Sequence, residues 1–269
     1  MNMQLELALS TLIVPFALSF ILKKLLVKHK QFEVLAVFAT WLVSYVWIAG
    51  LPSFLPKEAI EWCVYLGVAA ILISFFMKIN SRHKSTSNLN GPVSFFALSI
   101  IGIILVTWPV LSRSPDLQLL TELFFFGLIA VVITYRSSYS KPVNPALTLG
   151  ISNAGLAIVA GLGGSLLIGQ LAGALAASLG AYALLELFKK LKTAELRVNT
   201  SLLVSLLSLI MLVVARVFAE IPFTSAIFIG LALMFGLSVK GVFGSSLSMA
   251  SVVASIVWLL STSDQSSYY

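Results

Sequence analysis

The stretch that decides the fold runs from Leu5 to Lys30 and reads LELALSTLIVPFALSFILKKLLVKHK. Its first part, residues 5–22, holds one charged side chain, Glu6, and four lysines follow within the next eight positions. A transmembrane helix needs about 20 predominantly apolar residues. A cleaved signal peptide would instead carry its basic residues before the apolar segment and end at small residues. We therefore predict an uncleaved transmembrane helix that ends in a basic loop.

The composition of the whole chain agrees with this first segment. Hydrophobic residues make up 59% of the chain, charged residues make up 10%, and the mean hydropathy is +1.03. A soluble domain carries about 25% charged residues, so this chain lacks the polar side chains needed to cover itself in water. We predict an all-α polytopic transmembrane helical bundle that forms one domain over residues 1–269.

Nine further apolar stretches follow the first one. All are predicted to be helices, because lipid leaves backbone polar groups no water to bind and the alternation typical of a membrane barrel is absent. About ten spans are expected, at residues 5–22, 33–51, 58–77, 92–111, 117–135, 144–160, 165–187, 199–217, 222–238 and 242–260.

The basic residues fix an orientation for these spans. Of the 17 Lys and Arg residues, fourteen fall in loops on one side, only Lys57 and Arg113 fall on the other, and Arg216 lies inside a span. Basic loops stay cytoplasmic, so both termini are predicted to face outward from a bacterial inner (plasma) membrane. Four of the five tryptophans fall at predicted outer ends, where the indole suits the lipid interface, and Trp41 alone lies in the middle of a span.

Residues 144–187 allow two topologies. The turn at Gly161–Ser165 carries no charge, so the segment forms either two full spans or a re-entrant hairpin that leaves eight spans. Small residues let helices approach closely, and we predict a helix-packing seam at Gly169, Gly173, Ala177 and Gly180. Asn153 and Gln170 lie in the same segment and could bond either to a neighbouring helix or to a substrate.

Ionisable residues inside spans are candidates for function because burying them is costly. Glu122 lies about two turns into its span and has no cation nearby in sequence, so we predict a proton or cation role for it. Arg216 and Glu220 are four residues apart, a spacing at which side chains meet on one helix face, and we predict that they pair.

The sequence argues against several other classes of function. The chain has one cysteine, Cys63, and two histidines, both in basic loops, so neither a disulfide nor a metal centre is expected. No motif for a phosphate loop, a zinc protease or a paired-acid site is present. We expect no cofactor, no nucleic-acid partner and no enzymatic activity.

The leading functional hypothesis is the transport of a small solute or a lipid-like molecule. Asn153 and Gln170 would contact the substrate, Glu122 would take up protons or cations, and Arg216 with Glu220 would form an outer gate. The alternative is a non-catalytic membrane subunit or scaffold. The lipid bilayer is the expected partner, and a homo-oligomer or a membrane complex fits the sequence equally well.

Overall fold

A computed structural model describes residues 3–26, 32–80, 90–113, 116–139, 145–188, 198–238 and 242–263. Most of the basic loop residues, as well as His29 and His83, lie outside these ranges. Within them, all regular secondary structure is helical. The helices are α1 (Met3–Ala8), a π-helical turn (Leu9–Ile13), α2 (Val14–Leu25), α3 (Glu33–Ala49), α4 (Glu61–Asn80), α5 (Asn90–Leu111), α6 (Leu117–Tyr139), α7 (Pro145–Leu162), α8 (Leu166–Leu187), α9 (Val198–Phe218), α10 (Phe223–Ser238) and α11 (Val242–Ser263).

The all-helical prediction is confirmed over the described ranges, whereas the predicted number of spans is not. Among the described residues, seven helical segments are long and apolar enough to cross a membrane: Glu6–Leu25, Pro92–Leu111, Leu117–Arg136, Pro145–Leu162, Leu166–Leu187, Val198–Phe218 and Phe243–Thr262. Three other predicted spans correspond to shorter apolar helices, at Glu33–Ala49, Glu61–Phe76 and Phe223–Phe235. These helices suggest a multi-pass membrane protein.

Helix α9 lies at the centre of the bundle. Every residue from Thr200 to Ala215 is buried, and the helix packs against each of α3 to α8 and against α10. A helix that is apolar on all sides is stable only when other apolar groups surround it. Peripheral helices instead expose large apolar side chains on one face, for example Phe124 on α6 and Val257 on α11.

The turn between α7 and α8 is built from glycine. Gly164 has a φ of 99°, a conformation that favours glycine because it has no Cβ. The amides of Gly163 and Ser165 donate to the carbonyls of Val159 and Ala160 at 2.8 and 2.9 Å. These two carbonyls of the last turn of α7 therefore have hydrogen-bond partners. The result is a tight antiparallel pair in which α7 and α8 are each long enough to be a separate span.

Candidate functional site

An ion pair between Glu122 on α6 and Arg216 on α9 is the most distinctive polar feature of the bundle. Arg216 Nε donates to Glu122 Oε2 at 2.8 Å, and Arg216 Nη2 donates to Glu122 Oε1 at 2.7 Å. The Glu122 side chain is 3% exposed and the Arg216 side chain is 21% exposed. A two-bond contact between guanidinium and carboxylate fixes both position and orientation. The pair therefore holds α6 and α9 at one defined separation.

The predicted pairing of Arg216 with Glu220 is wrong, because in the described structure Arg216 pairs with Glu122. Helix α9 ends at Phe218, and Glu220 has a φ of 52° and an exposed side chain. The four-residue spacing brings side chains together only on an uninterrupted helix. Instead, the remaining Arg216 nitrogen, Nη1, donates to the carbonyl oxygen of Ile221 at 3.2 Å, so Arg216 also anchors the turn after α9.

Helix α9 carries further polar groups on the same face as Arg216. Ser201, Ser205 and Ser208 are three or four residues apart, and Arg216 follows Ser208 after about two turns, so all four side chains share one side of the helix. We call this set the α9 polar face. It places hydroxyl groups in a line through the buried centre of the bundle, with the ion pair at one end.

Asn153 on α7 contacts the α9 polar face directly. Its Nδ2 donates to the Leu149 carbonyl at 2.8 Å, and its Oδ1 accepts from Ser208 Oγ at 2.8 Å. Both Asn153 and Ser208 are fully buried. Asn153 therefore belongs to the interface between α7 and α9, not to the glycine seam between α7 and α8.

Gln170 and the glycine seam lie elsewhere. The Gln170 side chain is partly buried and makes no hydrogen bond within the described ranges, so the structure does not join it to Asn153. Gly169 faces the α7 backbone, where an added Cβ would lie 2.9 Å from the Ala157 carbonyl oxygen, and Gly173 faces Ala157 Cβ at 3.8 Å. Gly180 faces Phe16 of α2 instead, so the seam is divided between two neighbouring helices. Ala177 is partly buried on the same helix.

Serine hydroxyls connect the helices at the other side of α7. Ser152 Oγ on α7 and Ser248 Oγ on α11 are 3.0 Å apart, and Ser248 also donates to the Ala232 carbonyl of α10. Ser225 and Ser255 each donate to the other's backbone carbonyl, at 3.3 and 3.0 Å. These bonds tie α7, α10 and α11 together where apolar packing alone has little preference for one arrangement.

A second buried ion pair was missed by the sequence analysis. Lys23 Nζ on α2 lies 3.2 Å from Glu33 Oε1 on α3 and 4.5 Å from the centre of the Tyr182 ring on α8. Both charged side chains are buried. In the sequence, Lys23 is one of the four lysines that follow the first apolar stretch, and we assigned it to a basic loop. The signal that could have identified the pair is an acid, Glu33, at the far end of the same short connection.

The α3–α4 loop, residues 50–60, is ordered around one carboxylate. Glu61 accepts hydrogen bonds from the backbone amides of Ser53, Lys57 and Glu58 and from the Ser53 hydroxyl. Tyr65 donates its hydroxyl to the Ser53 carbonyl. Glu61 is the first residue of α4, and its carboxylate faces the loop.

Comparison of the chain with protein-family models, with curated proteins and with solved structures finds no significant match. The basis for a functional proposal is therefore the arrangement of the residues described above.

Proposed function

We propose that the protein is a transporter of the bacterial inner membrane that moves a small solute or a lipid-like molecule. The observation that carries this proposal is the buried Glu122–Arg216 pair at one end of the α9 polar face. Ionisable groups within spans are costly, so they commonly mark the route of a substrate or an ion. Transport is favoured over catalysis because the polar groups form a line along a central helix and not a compact cluster around one nucleophile.

The topology that fits this function has ten crossings. In this arrangement α3, α4 and α10 act as short crossings beside the seven longer ones, and α7 and α8 are two full crossings. Both termini then face outward, and the chain divides into two halves of five crossings with opposite orientation. Such halves are common in secondary transporters, whose substrate sites lie near the middle of the bilayer.

The ion pair would act as the outer gate. Arg216 bound to Glu122 would close the space between α6 and α9, and Glu122 takes the place that the sequence prediction gave to Glu220 as the partner of Arg216. A proton or a cation taken up at Glu122 would compete with the guanidinium for the carboxylate and so open the gate. Glu122 would thereby have the proton or cation role predicted for it.

The substrate contact would lie deeper in the bundle. Ser208 is eight residues from Arg216, which corresponds to about 12 Å along the helix and places it near the middle of a bilayer core of about 30 Å. Asn153 and Ser208 could exchange their mutual hydrogen bond for bonds to a substrate. We assign the contact to these two residues because Gln170 does not reach them.

Transport can be tested in liposomes with the purified chain. Proteoliposomes are incubated with an isotope-labelled soluble extract of bacterial cells, and the retained compounds are identified by mass spectrometry. A parallel assay follows the flipping of a fluorescent phospholipid. We expect the wild type to enrich one class of compound or to flip the lipid, and the double variant E122Q/R216Q to fall to the level of empty liposomes.

The matched control for this experiment is E220Q. It makes the same chemical change as E122Q at an exposed residue on the same side of the bundle and should keep wild-type transport. Equal transport by the wild type and E122Q/R216Q would reject the role of the pair. A wild type that neither enriches a compound nor flips the lipid would reject the transport proposal.

The second candidate is a non-catalytic subunit of a membrane complex. It is favoured because buried polar groups pair with each other within the bundle, as Ser225 and Ser255 do. Such pairs are typical of packing between helices and not of a polar route for a substrate. Purification in a mild detergent separates the two functions. A partner that co-purifies at fixed stoichiometry supports the subunit, whereas transport by the chain alone supports the transporter.

A further inference from the structure

The α3–α4 loop exposes three large apolar side chains. Phe54 is 94% exposed, Leu51 is 83% exposed and Leu55 is 73% exposed. They lie within five residues of each other in a single connection. Exposed apolar side chains grouped in this way usually mark a surface that another apolar medium covers.

The three exposed side chains lie on a loop whose backbone is held by hydrogen bonds. Ser53, in the middle of the apolar group, donates both its amide and its hydroxyl to Glu61, at 3.0 and 2.7 Å, and its carbonyl accepts from Tyr65. Ser53 Oγ is also 2.6 Å from the Leu55 carbonyl. The side chains of Phe54 and Leu55 are thus held outward by bonds on the opposite side of the loop.

The length of α3 places this loop at the boundary of the lipid. Helix α3 has 17 residues, and at 1.5 Å per residue it spans about 26 Å, less than the bilayer core of about 30 Å. Its C-terminal end, at Ala49, therefore does not clear the hydrocarbon if the other end sits at the opposite interface. The first loop residues must then complete the crossing.

The hydrogen bonds and the flanking residues fit that position. Where water is scarce, amides outside a helix need partners within the protein, and Glu61 supplies one to Ser53, Lys57 and Glu58. Trp47, which is 44% exposed, precedes the loop, and tryptophan is typical of the membrane interface.

The order of residues along the loop separates apolar from charged groups. Leu51, Phe54 and Leu55 come first, and the exposed charges of Lys57 and Glu58 follow after Pro56. This division suits a segment whose first half contacts acyl chains and whose second half contacts headgroups. A docking site for a water-soluble protein would have no need of the short helix or of the internal amide partners.

We propose that the α3–α4 loop is an interfacial lipid anchor, in which Leu51, Phe54 and Leu55 insert among the upper acyl chains of the outer leaflet. The occupant of this surface is lipid and not another protein. The anchor compensates for the shortness of α3 and fixes the depth of the α3–α4 pair in the bilayer. It does not depend on the transport proposal.

Depth-dependent fluorescence quenching tests the anchor. The variant F54C is prepared with C63A, labelled with an environment-sensitive fluorophore and placed in lipid nanodiscs. Quenching by phospholipids that carry a nitroxide near the headgroup is compared with quenching by aqueous iodide. We expect the nitroxide lipids to quench the fluorophore and iodide to leave it nearly unchanged.

The matched control is R113C, another exposed position on the predicted outer side, which iodide should quench. L51C gives a second reading next to the end of α3 and should be quenched like F54C. Strong quenching of F54C by iodide would place the loop in water. Protection from both quenchers would mean that protein covers it, and either result would overturn the proposal.

Discussion

Arg216 binds Glu122 through two hydrogen bonds of 2.8 and 2.7 Å, which join α9 to α6 across 94 positions of sequence. The contact has little water around Glu122, so each charge depends on the other for stabilisation. Removing one member leaves the second buried and uncompensated, whereas removing both does not.

We therefore expect E122Q and R216Q each to destabilise the protein by about 3 kcal/mol, toward the lower end of the range for buried pairs because Arg216 is partly exposed. The double variant should recover part of this loss. Thermal unfolding in one detergent, with E220Q as the control, measures the effect. A double variant as unstable as the sum of the singles would show that the two residues do not interact.

The closest helix contact in the glycine seam predicts a difference between two neighbouring glycines. In G169A the new methyl group would lie 2.9 Å from the Ala157 carbonyl oxygen, so the helices must move apart, and we expect a loss of about 1–3 kcal/mol. In G173A the nearest atom is 3.8 Å away, which is ordinary contact. The same thermal assay should show G173A close to wild type. Equal stability of the two variants would contradict the close approach.

The bond between Asn153 and Ser208 predicts a coupling that a double-mutant cycle can measure. Hydrogen bonds between transmembrane helices contribute about 0.6 kcal/mol on average, so N153A and S208A should be less than additive by about that amount. Ser205 serves as the control because, within the part of the chain that the structure describes, its hydroxyl donates to Ser201 of its own helix, at 2.8 Å, and to no other helix. N153A and S205A should be additive.

The basic pair of residues at the end of α2 gives another matched comparison. Lys23 is buried against Glu33 and the Tyr182 ring, whereas Lys24 is exposed. K23Q removes the salt bridge of Lys23 to Glu33 and its contact with the Tyr182 ring, and should destabilise the bundle by about 3 kcal/mol. K24Q should change the unfolding midpoint little. Similar midpoints for both variants would indicate that the charge of Lys23 remains hydrated.

Hydropathy located the helices well because the cost of unpaired backbone in lipid acts on each segment separately. Helix α9, predicted at 199–217, runs from Val198 to Phe218. The central position of that helix was not predictable in the same way. Lipid-facing and protein-facing surfaces are both apolar, so composition alone does not distinguish α9 from α11.

Pairings between charges were less predictable than helices. The spacing of three or four residues identifies partners on the same helix, so it predicted Glu220 as the partner of Arg216. The actual partner, Glu122, lies on α6, three helices earlier in the chain. Lys23 was counted as a loop charge because the orientation rule uses position in sequence and not burial. The hydrogen bond from Ser208 to Asn153 was likewise not predictable, because the sequence does not show which face of α7 packs against α9.

The burial of α9 has a consequence for biosynthesis. The helix against which most of the others pack leaves the ribosome after α1 to α8 have already been handed to the insertion machinery. Until residue 216 is translated, Glu122 lacks Arg216, and α3 to α8 lack the helix that they share as a neighbour. The contacts of α3 to α8 with α9 can form only after α9 has been made, whereas pairs such as α7–α8 can pack before it.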